Sequence, residues 1–304
     1  MSETTSRDAD ISTTTEDLRQ ASLWSDAWRQ LRRNKLFLIA SALLLLLAVI
    51  AAFPGLFTSL GDPRTSAGSC NLANSKLGPR ADAWFGNDIQ GCDHYTNVIY
   101  GARVSMIIGL VVVGGSALIG VVLGGLAGFF GGWFDLLMAR ITDIVFGLPL
   151  ILGAILILNT FPSRGLAQVS FALIVLGWPT TLRLFRASVI SIKDTDYVAA
   201  ARAIGASNGR ILIKHILPNA IAPVLVYSTI AVGGIIAAEA TLSFLGIGLM
   251  RPAVSWGLQI DGGQKLLRTA PHILFFPSLF LSVTVLSFIL LGDALRDALD
   301  PKTR

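Results

Sequence analysis

The amino-acid sequence predicts an all-α integral membrane protein that crosses the bilayer six times, and three observations lead there. Hydrophobic residues make up 53% of the 304 residues and charged ones only 14%, well below the quarter or so usual in soluble domains. Six apolar stretches, 36–58, 104–130, 144–161, 166–182, 221–245 and 273–291, carry no charge except Glu239. Crossing ~30 Å of hydrocarbon at ~1.5 Å per residue takes roughly 20 residues. Glycine and proline recur inside these stretches, which lipid tolerates where neighbouring helices satisfy the freed backbone groups.

Taken in order, residues 1–21 are rich in Ser, Thr, Asp and Glu and read as a disordered tail. Over 22–35, Leu23, Trp24, Ala27, Trp28 and Leu31 recur at helical spacing with Arg29, Arg32 and Arg33 on other faces, so an interfacial amphipathic helix is expected. The first span, 36–58, reads as a retained helix, because about 35 residues precede it and no small-residue cleavage site follows it. Lys and Arg flanking the spans place both termini and the segment near 183–219 in the cytoplasm. An anionic lipid leaflet accounts for the net charge of +5, with no nucleic acid needed.

Residues 59–103 form the first external loop and hold the only cysteines, Cys70 and Cys92. A disulfide between them is one reading, since that compartment is oxidising; two unrelated thiols is the other. In the second span Ser116, Gly120, Gly124, Gly128 and Gly132 repeat at every fourth position. Such a ladder lets another helix approach closely, without saying which one. Asp135, Arg140 and Asp143 read as structural, with Arg140 and Asp143 paired at i, i+3. Glu239 falls near the outer boundary of the fifth span and faces either a pathway or gate, or a hydrogen bond to a neighbouring helix. A core of 104–292 is expected, with a cytoplasmic loop at 188–219 and a tail at 293–304.

That loop is where the apolar pattern breaks. Asp194 or Thr195 can cap a helix starting at Asp196, in which Tyr197, Ala200, Ala201 and Ile204 make one apolar stripe, and Gly205 supplies the positive φ that stops it. A second helix starts at Ser207, passes Arg210, Ile211 and His215, and ends where Pro218 follows Leu217. The stripe suits a helix-in-groove contact with a cytoplasmic protein; a loop folded back on its own bundle is the alternative.

Other chemistry is missing from the sequence. No phosphate-cradling G-x-x-x-x-G-K-[ST] loop occurs, and His94, His215 and His272 do not pair with cysteine or serine at metal-ligand or triad spacing. The spans lack the midplane ionisable groups of an ion-driven carrier. Any energy source is therefore expected outside the chain.

Residues 196–218, "DYVAAARAIGASNGRILIKHILP", resemble the EAA loop of permease subunits in bacterial ATP-binding-cassette importers, with Gly205, Leu217 and Pro218 in place. Ala199 stands where that pattern has glutamate, and His215 where it has an aliphatic residue. "WFGNDIQGCDHYTNVIYGARVSM" (84–106), "AEATLSFLGIGLMRPAVSWG" (238–257) and "LLGDALRDALDP" (290–301) are similar to the C-type subunit of the dipeptide, oligopeptide and nickel group. Asn87 and Cys92 replace that group's Thr and Arg, and a crosslink from Cys92 to Cys70 would then substitute for a charged contact.

The resemblance implies a type I, MetI-like permease fold and a set of partners. These are a B-type permease subunit, cytoplasmic ATPases that bind ATP and Mg, an extracytoplasmic peptide-binding protein, and the lipid itself. It implies no cofactor or metal in this chain and no catalysis by it. Asp196, Tyr197, Ala200, Ala201, Arg202, Ile204, Gly205, Arg210, Leu217 and Pro218 would form the ATPase-coupling surface. The competing readings are an accessory protein that binds an ATPase without forming a conduit, and a permease for nickel or another small solute.

Overall fold

A computed structural model of the chain describes residues 28–63 and 70–299. Among them five helices are long and apolar enough to cross a membrane, or six if one bent pair counts as a span. The helices are α1 (Lys35–Ala52), α2 (His94–Phe130), α3 (Gly132–Phe146), α4 (Leu150–Leu158), α5 (Leu166–Ile192), α6 (Asp196–Ala203), α7 (Asn208–Arg210), α8 (Leu217–Ala220), α9 (Ala222–Phe244), α10 (Trp256–Gln264) and α11 (His272–Leu299).

The tail at 1–21 and residues 22–27 of the expected interfacial helix lie outside the described residues. Of that helix, Trp28 begins a helical turn, the Arg32 guanidinium lies 4.7 Å from the Trp28 ring centre, and Leu31 is buried with Ala294 and Ala298. Those two alanines belong to α11, which runs to Leu299, so residues 293–299 of the expected tail are a helix end with a packing partner.

α1 stops at Ala52, short of the expected boundary, because the residue before Pro54 is pushed out of the helical region. Its last carbonyls are held by Arg103, whose Nε donates to Ala51 O and whose Nη2 donates to Ala52 O, each at 2.8 Å. A cation at a helix C-terminus also complements its dipole. Arg103 can do this because α2 starts ten residues before the expected position, at His94. Asp93 caps it by accepting from the Thr96 N–H and hydroxyl at 2.8 and 2.7 Å. The loop predicted to end at 103 therefore ends at 93.

The third span is not one helix. α3 and α4 meet at 86° across Gly147, Leu148 and Pro149. Proline has no N–H to continue the ladder and biases Leu148 away from helical angles. α5 also overruns its expected end, through Arg183 and Arg186 to Ile192. Its charges are tolerated because acids on α3 meet them. Arg186 Nη2 donates to Asp135 Oδ2 at 2.6 Å with a second contact from Nε, and Arg183 Nη2 reaches Asp143 Oδ1 at 2.5 Å. Arg140, the expected partner of Asp143, also pairs with it, at 3.7 Å and in the open.

The small-residue ladder finds its partner within the chain. A Cβ added at Gly120 would lie 2.8 Å from Leu182 N, one at Gly124 2.6 Å from Leu182 O, and one at Gly128 3.0 Å from Arg186 O. α2 and α5 thus touch backbone to backbone, the closest packing that lipid-embedded helices achieve. Gly132 does not belong to this ladder. The helix ends at Phe130, Gly131 and Gly132 have φ of 65° and 64°, and nothing lies within 4 Å of a Cβ placed at Gly132. They are a hinge between α2 and α3, where only glycine adopts such angles freely.

Candidate functional site

At one end of the bundle the loop after α5 builds a rigid elbow. Thr195 takes the N-cap position of α6, although its hydroxyl donates to Ile192 O at 2.7 Å and does not reach forward. At the other end Ile204 is the C-cap, Gly205 follows with φ 83°, and two bonds close the turn: Gly205 N–H to Arg202 O at 3.0 Å and Ala206 N–H to Ala201 O at 3.1 Å. This is the Schellman pattern, in which the left-handed residue lets the last carbonyls be satisfied.

α6 divides its faces differently from the expected stripe. Val198 and Ala201 are buried in a cluster with Phe185, Val189, Ile211, Ile216, Ala220 and Val224, which ties the elbow to α5 and α9. Ala201 is thus removed from the outward surface by its own bundle. Tyr197, Ala200 and Ile204 point the other way, with Tyr197 44% and Ile204 86% exposed. Asp196 and Arg202 flank them in the open, as does Arg210 beyond the turn. The helix therefore folds back on the bundle with one face and leaves an apolar strip exposed on the other.

Pro218 does not end the second loop helix. The chain runs from Asn208–Arg210 through a π-helical segment, Ile211–Ile216, into Leu217–Ala220, with Pro218 in the first turn of α8. A wide turn re-registers the ladder so that the missing N–H falls where none is needed. Leu217 packs against the cluster and Pro218 is exposed.

Halfway along the bundle a cavity of about 290 Å³ opens on one flank, lined by Ser116 of α2, Leu150 of α4, Gly177 and Thr181 of α5, and Tyr227 and Gly234 of α9. Its walls are mostly apolar, yet the buried Ser116 hydroxyl has no hydrogen-bond partner among the described residues. Sequence reasoning gave Ser116 a packing role only and missed Thr181 and Tyr227, which carry no charge to mark them.

Glu239 lines neither this cavity nor the larger one at the far end. It is fully buried, and its Oε1 accepts from Ser243 at 2.8 Å and from Ser255 at 3.0 Å. Ser255 caps α10, a helix not foreseen from the sequence, through Leu258 N. Trp256 extends the attachment, donating from N to Ser105 Oγ at 3.2 Å and from Nε1 to Val98 O at 3.0 Å. Oε1 thus makes a bond to a neighbouring helix, one of the two readings of Glu239, while Oε2 is buried with no hydrogen-bond partner among the described residues. At the same end the Cys70 and Cys92 sulfurs are joined at 2.01 Å. Ser255 followed by Trp256 and Gly257 was the signal that could have found α10, since serine before a helical run is an N-cap.

Long helices around a mid-bundle cavity, together with a stiff elbow presenting an apolar strip, define a polytopic membrane subunit of the permease class. Comparison with known proteins gives the particular family. Residues 120–304 match the model of the binding-protein-dependent transport system inner membrane component, and residues 22–69 match that of the N-terminal TM domain of oligopeptide transport permease C. The chain is 39% identical over 281 residues to the dipeptide transport system permease protein DppC of Alkalihalophilus pseudofirmus, covering 92% of this chain and 90% of that one. It is 38% identical over 286 residues to the oligopeptide transport system permease protein OppC of Bacillus subtilis, covering 94% and 92%. Against the glutathione transport system permease protein GsiD of Shigella dysenteriae it is 38% identical over 281 residues, covering 92% and 91%. The chain belongs to the family of binding-protein-dependent transport system inner membrane components.

Proposed function

We propose that this chain is one half of the translocation pathway of an ATP-driven importer of dipeptides or oligopeptides. In this reading the flank cavity around Ser116, Thr181 and Tyr227 faces a second, B-type permease subunit and forms the conduit with it. The elbow lies in the cytoplasm with both termini and seats Tyr197, Ala200 and Ile204 in a cleft of an ATPase subunit, where ATP and Mg are bound. The chain itself holds no cofactor. An external binding protein delivers the peptide to the disulfide end.

The observation that carries this reading is the two-faced elbow. A lever must be apolar where it docks and immobile where it joins the bundle. α6 meets both needs, since Ile204 is exposed while Val198 and Ala201 are clamped in the cluster. ATP then acts by binding one conformation of the assembly better than the other.

The test is dipeptide uptake by the complex reconstituted in vesicles. Ile204→Glu would carry a charge into an apolar cleft. Uptake is expected to fall at least about tenfold, the equivalent of roughly 1.4 kcal/mol, while the chain still assembles with the B-type subunit. Uptake at the unsubstituted rate would show that this strip is not the contact.

A further inference from the structure

Four cations crowd the entry to α1: Arg29, Arg32, Arg33 and Lys35, all of them exposed. None makes an ion pair among the described residues. Arg183 and Arg186, by contrast, are met by acids on α3. Neither the bundle nor the transport reading uses the four.

The turn that carries them is held in one place. Trp28 O accepts from the Arg32 N–H, Gln30 O from the Arg33 N–H and Leu31 O from the Asn34 N–H, each at 3.1 Å. The Asn34 side chain then caps α1, its Oδ1 accepting from the Leu36 and Phe37 N–H groups at 2.9 and 3.2 Å. Leu31 is buried against Ala294 and Ala298, which pins the turn to the end of α11. A cation–π contact with Trp28 steadies the Arg32 guanidinium. The same stretch of α11 adds an exposed Arg296, with Asp293 and Asp297 beside it, so cations outnumber carboxylates five to two at this corner.

Immediately beyond the cations the surface changes character. Leu36, Leu38 and Ile39, in the first turns of α1, are exposed, and Leu43, Leu45 and Leu46 carry the apolar surface further along the helix. A ligand that matches both parts is anionic at one end and hydrocarbon at the other. A soluble anion would meet only the guanidinium groups, which take phosphate oxygens through paired N–H bonds. A neutral lipid would meet only the leucines. We propose that this corner of α1 and α11 is a binding site for an anionic phospholipid, its phosphate among Arg29, Arg32, Arg33 and Lys35 and its acyl chains along Leu36, Leu38 and Ile39. Lipid surrounds any membrane helix; here the fixed cations select the charge of the headgroup. The site stands on this geometry alone, whatever solute the chain carries.

The test titrates the full-length chain in neutral detergent micelles with phosphatidylglycerol or phosphatidylcholine, and reads lipid retained on the protein by native mass spectrometry. Phosphatidylglycerol is expected to bind at least about tenfold more tightly. Each cation near an anionic headgroup is worth roughly fivefold, so Arg32→Gln with Arg33→Gln should weaken it about tenfold or more. Arg32→Lys with Arg33→Lys should keep most of the affinity, and Arg268→Gln, an exposed cation away from this corner, all of it. Equal retention of the two lipids, or unchanged affinity in the double glutamine variant, would overturn the site. So would an equal loss in Arg268→Gln, which would mean attraction spread over the whole surface. Displacement of the lipid by inorganic phosphate at equal concentration would also overturn it, in favour of a soluble-anion site.

Discussion

Gly124 sits where a Cβ would lie 2.6 Å from the Leu182 carbonyl oxygen, a contact with backbone that no side-chain rotation can relieve. Gly124→Leu must separate α2 from α5 at their closest point. A destabilisation of about 1–3 kcal/mol or more is expected, visible as a lower melting temperature or loss of the monodisperse peak in detergent. Gly132→Ala meets no neighbour and should cost only the strain of its φ of 64°. Equal damage at both positions would refute the assignment of the ladder to this helix pair. Glu239 gives a second contrast. Glu239→Gln keeps an oxygen for Ser243 and Ser255, whereas Glu239→Ala strands both hydroxyls, at about 1–3 kcal/mol for an unsatisfied buried group. Melting of the alanine variant well below the glutamine variant is expected; equal melting would show that the link from α9 to α10 carries no stability. Spacing alone revealed the ladder, because a four-residue repeat of small residues has one physical use in lipid. The environment of Glu239 was hidden, because Ser255 lies sixteen residues away across a turn that local pattern does not describe.

Among the elements, the elbow was the most legible and also the most instructive in its errors. Glycine at position 205 and a helix start at Asp196 are local signals, and both appear in the structure where the residues put them, although Thr195 makes no forward side-chain bond. What spacing could not supply is which side of α6 the bundle would claim. Ala201 and Val198 went inward because Phe185 and Ile211 stand there to receive them. Pro218 misled for a related reason: a helix stop is a local rule, and a π-helical turn upstream evades it. The helix ends were misjudged wherever a charge had a partner distant in sequence, as Arg103 has in Ala51 and Arg186 in Asp135. Gly205→Val puts a β-branched residue at φ 83°, a strain of about 1–2 kcal/mol concentrated in the turn that aims Ile204. Uptake is expected to drop while the melting temperature of the membrane bundle changes little. A variant that transports normally would mean the elbow need not hold one pose.

At the scale of the whole molecule, the chain is a bundle with a different kind of surface at each level. The disulfide end carries a cavity of mixed polar and apolar lining, the middle an apolar hollow open on one flank, and the opposite end an exposed apolar strip on a clamped helix. Composition and charge-free length revealed the class because lipid imposes it, and five of the six expected crossings are single helices while the sixth is a bent pair. Cavities were not legible, since they arise from residues brought together from α2, α4, α5 and α9, none of which is distinctive alone. The account holds that the strip on α6 is buried against an ATPase in the working assembly and moves with it. Ile204→Cys tests this most directly, because both native cysteines are joined to each other and leave the new thiol as the single reactive one among the described residues. In the assembled complex that thiol is expected to crosslink to the ATPase subunit, with a yield that changes between nucleotide-free and ATP-bound states. Free reaction with a bulky maleimide in every nucleotide state, and no crosslink, would contradict the account.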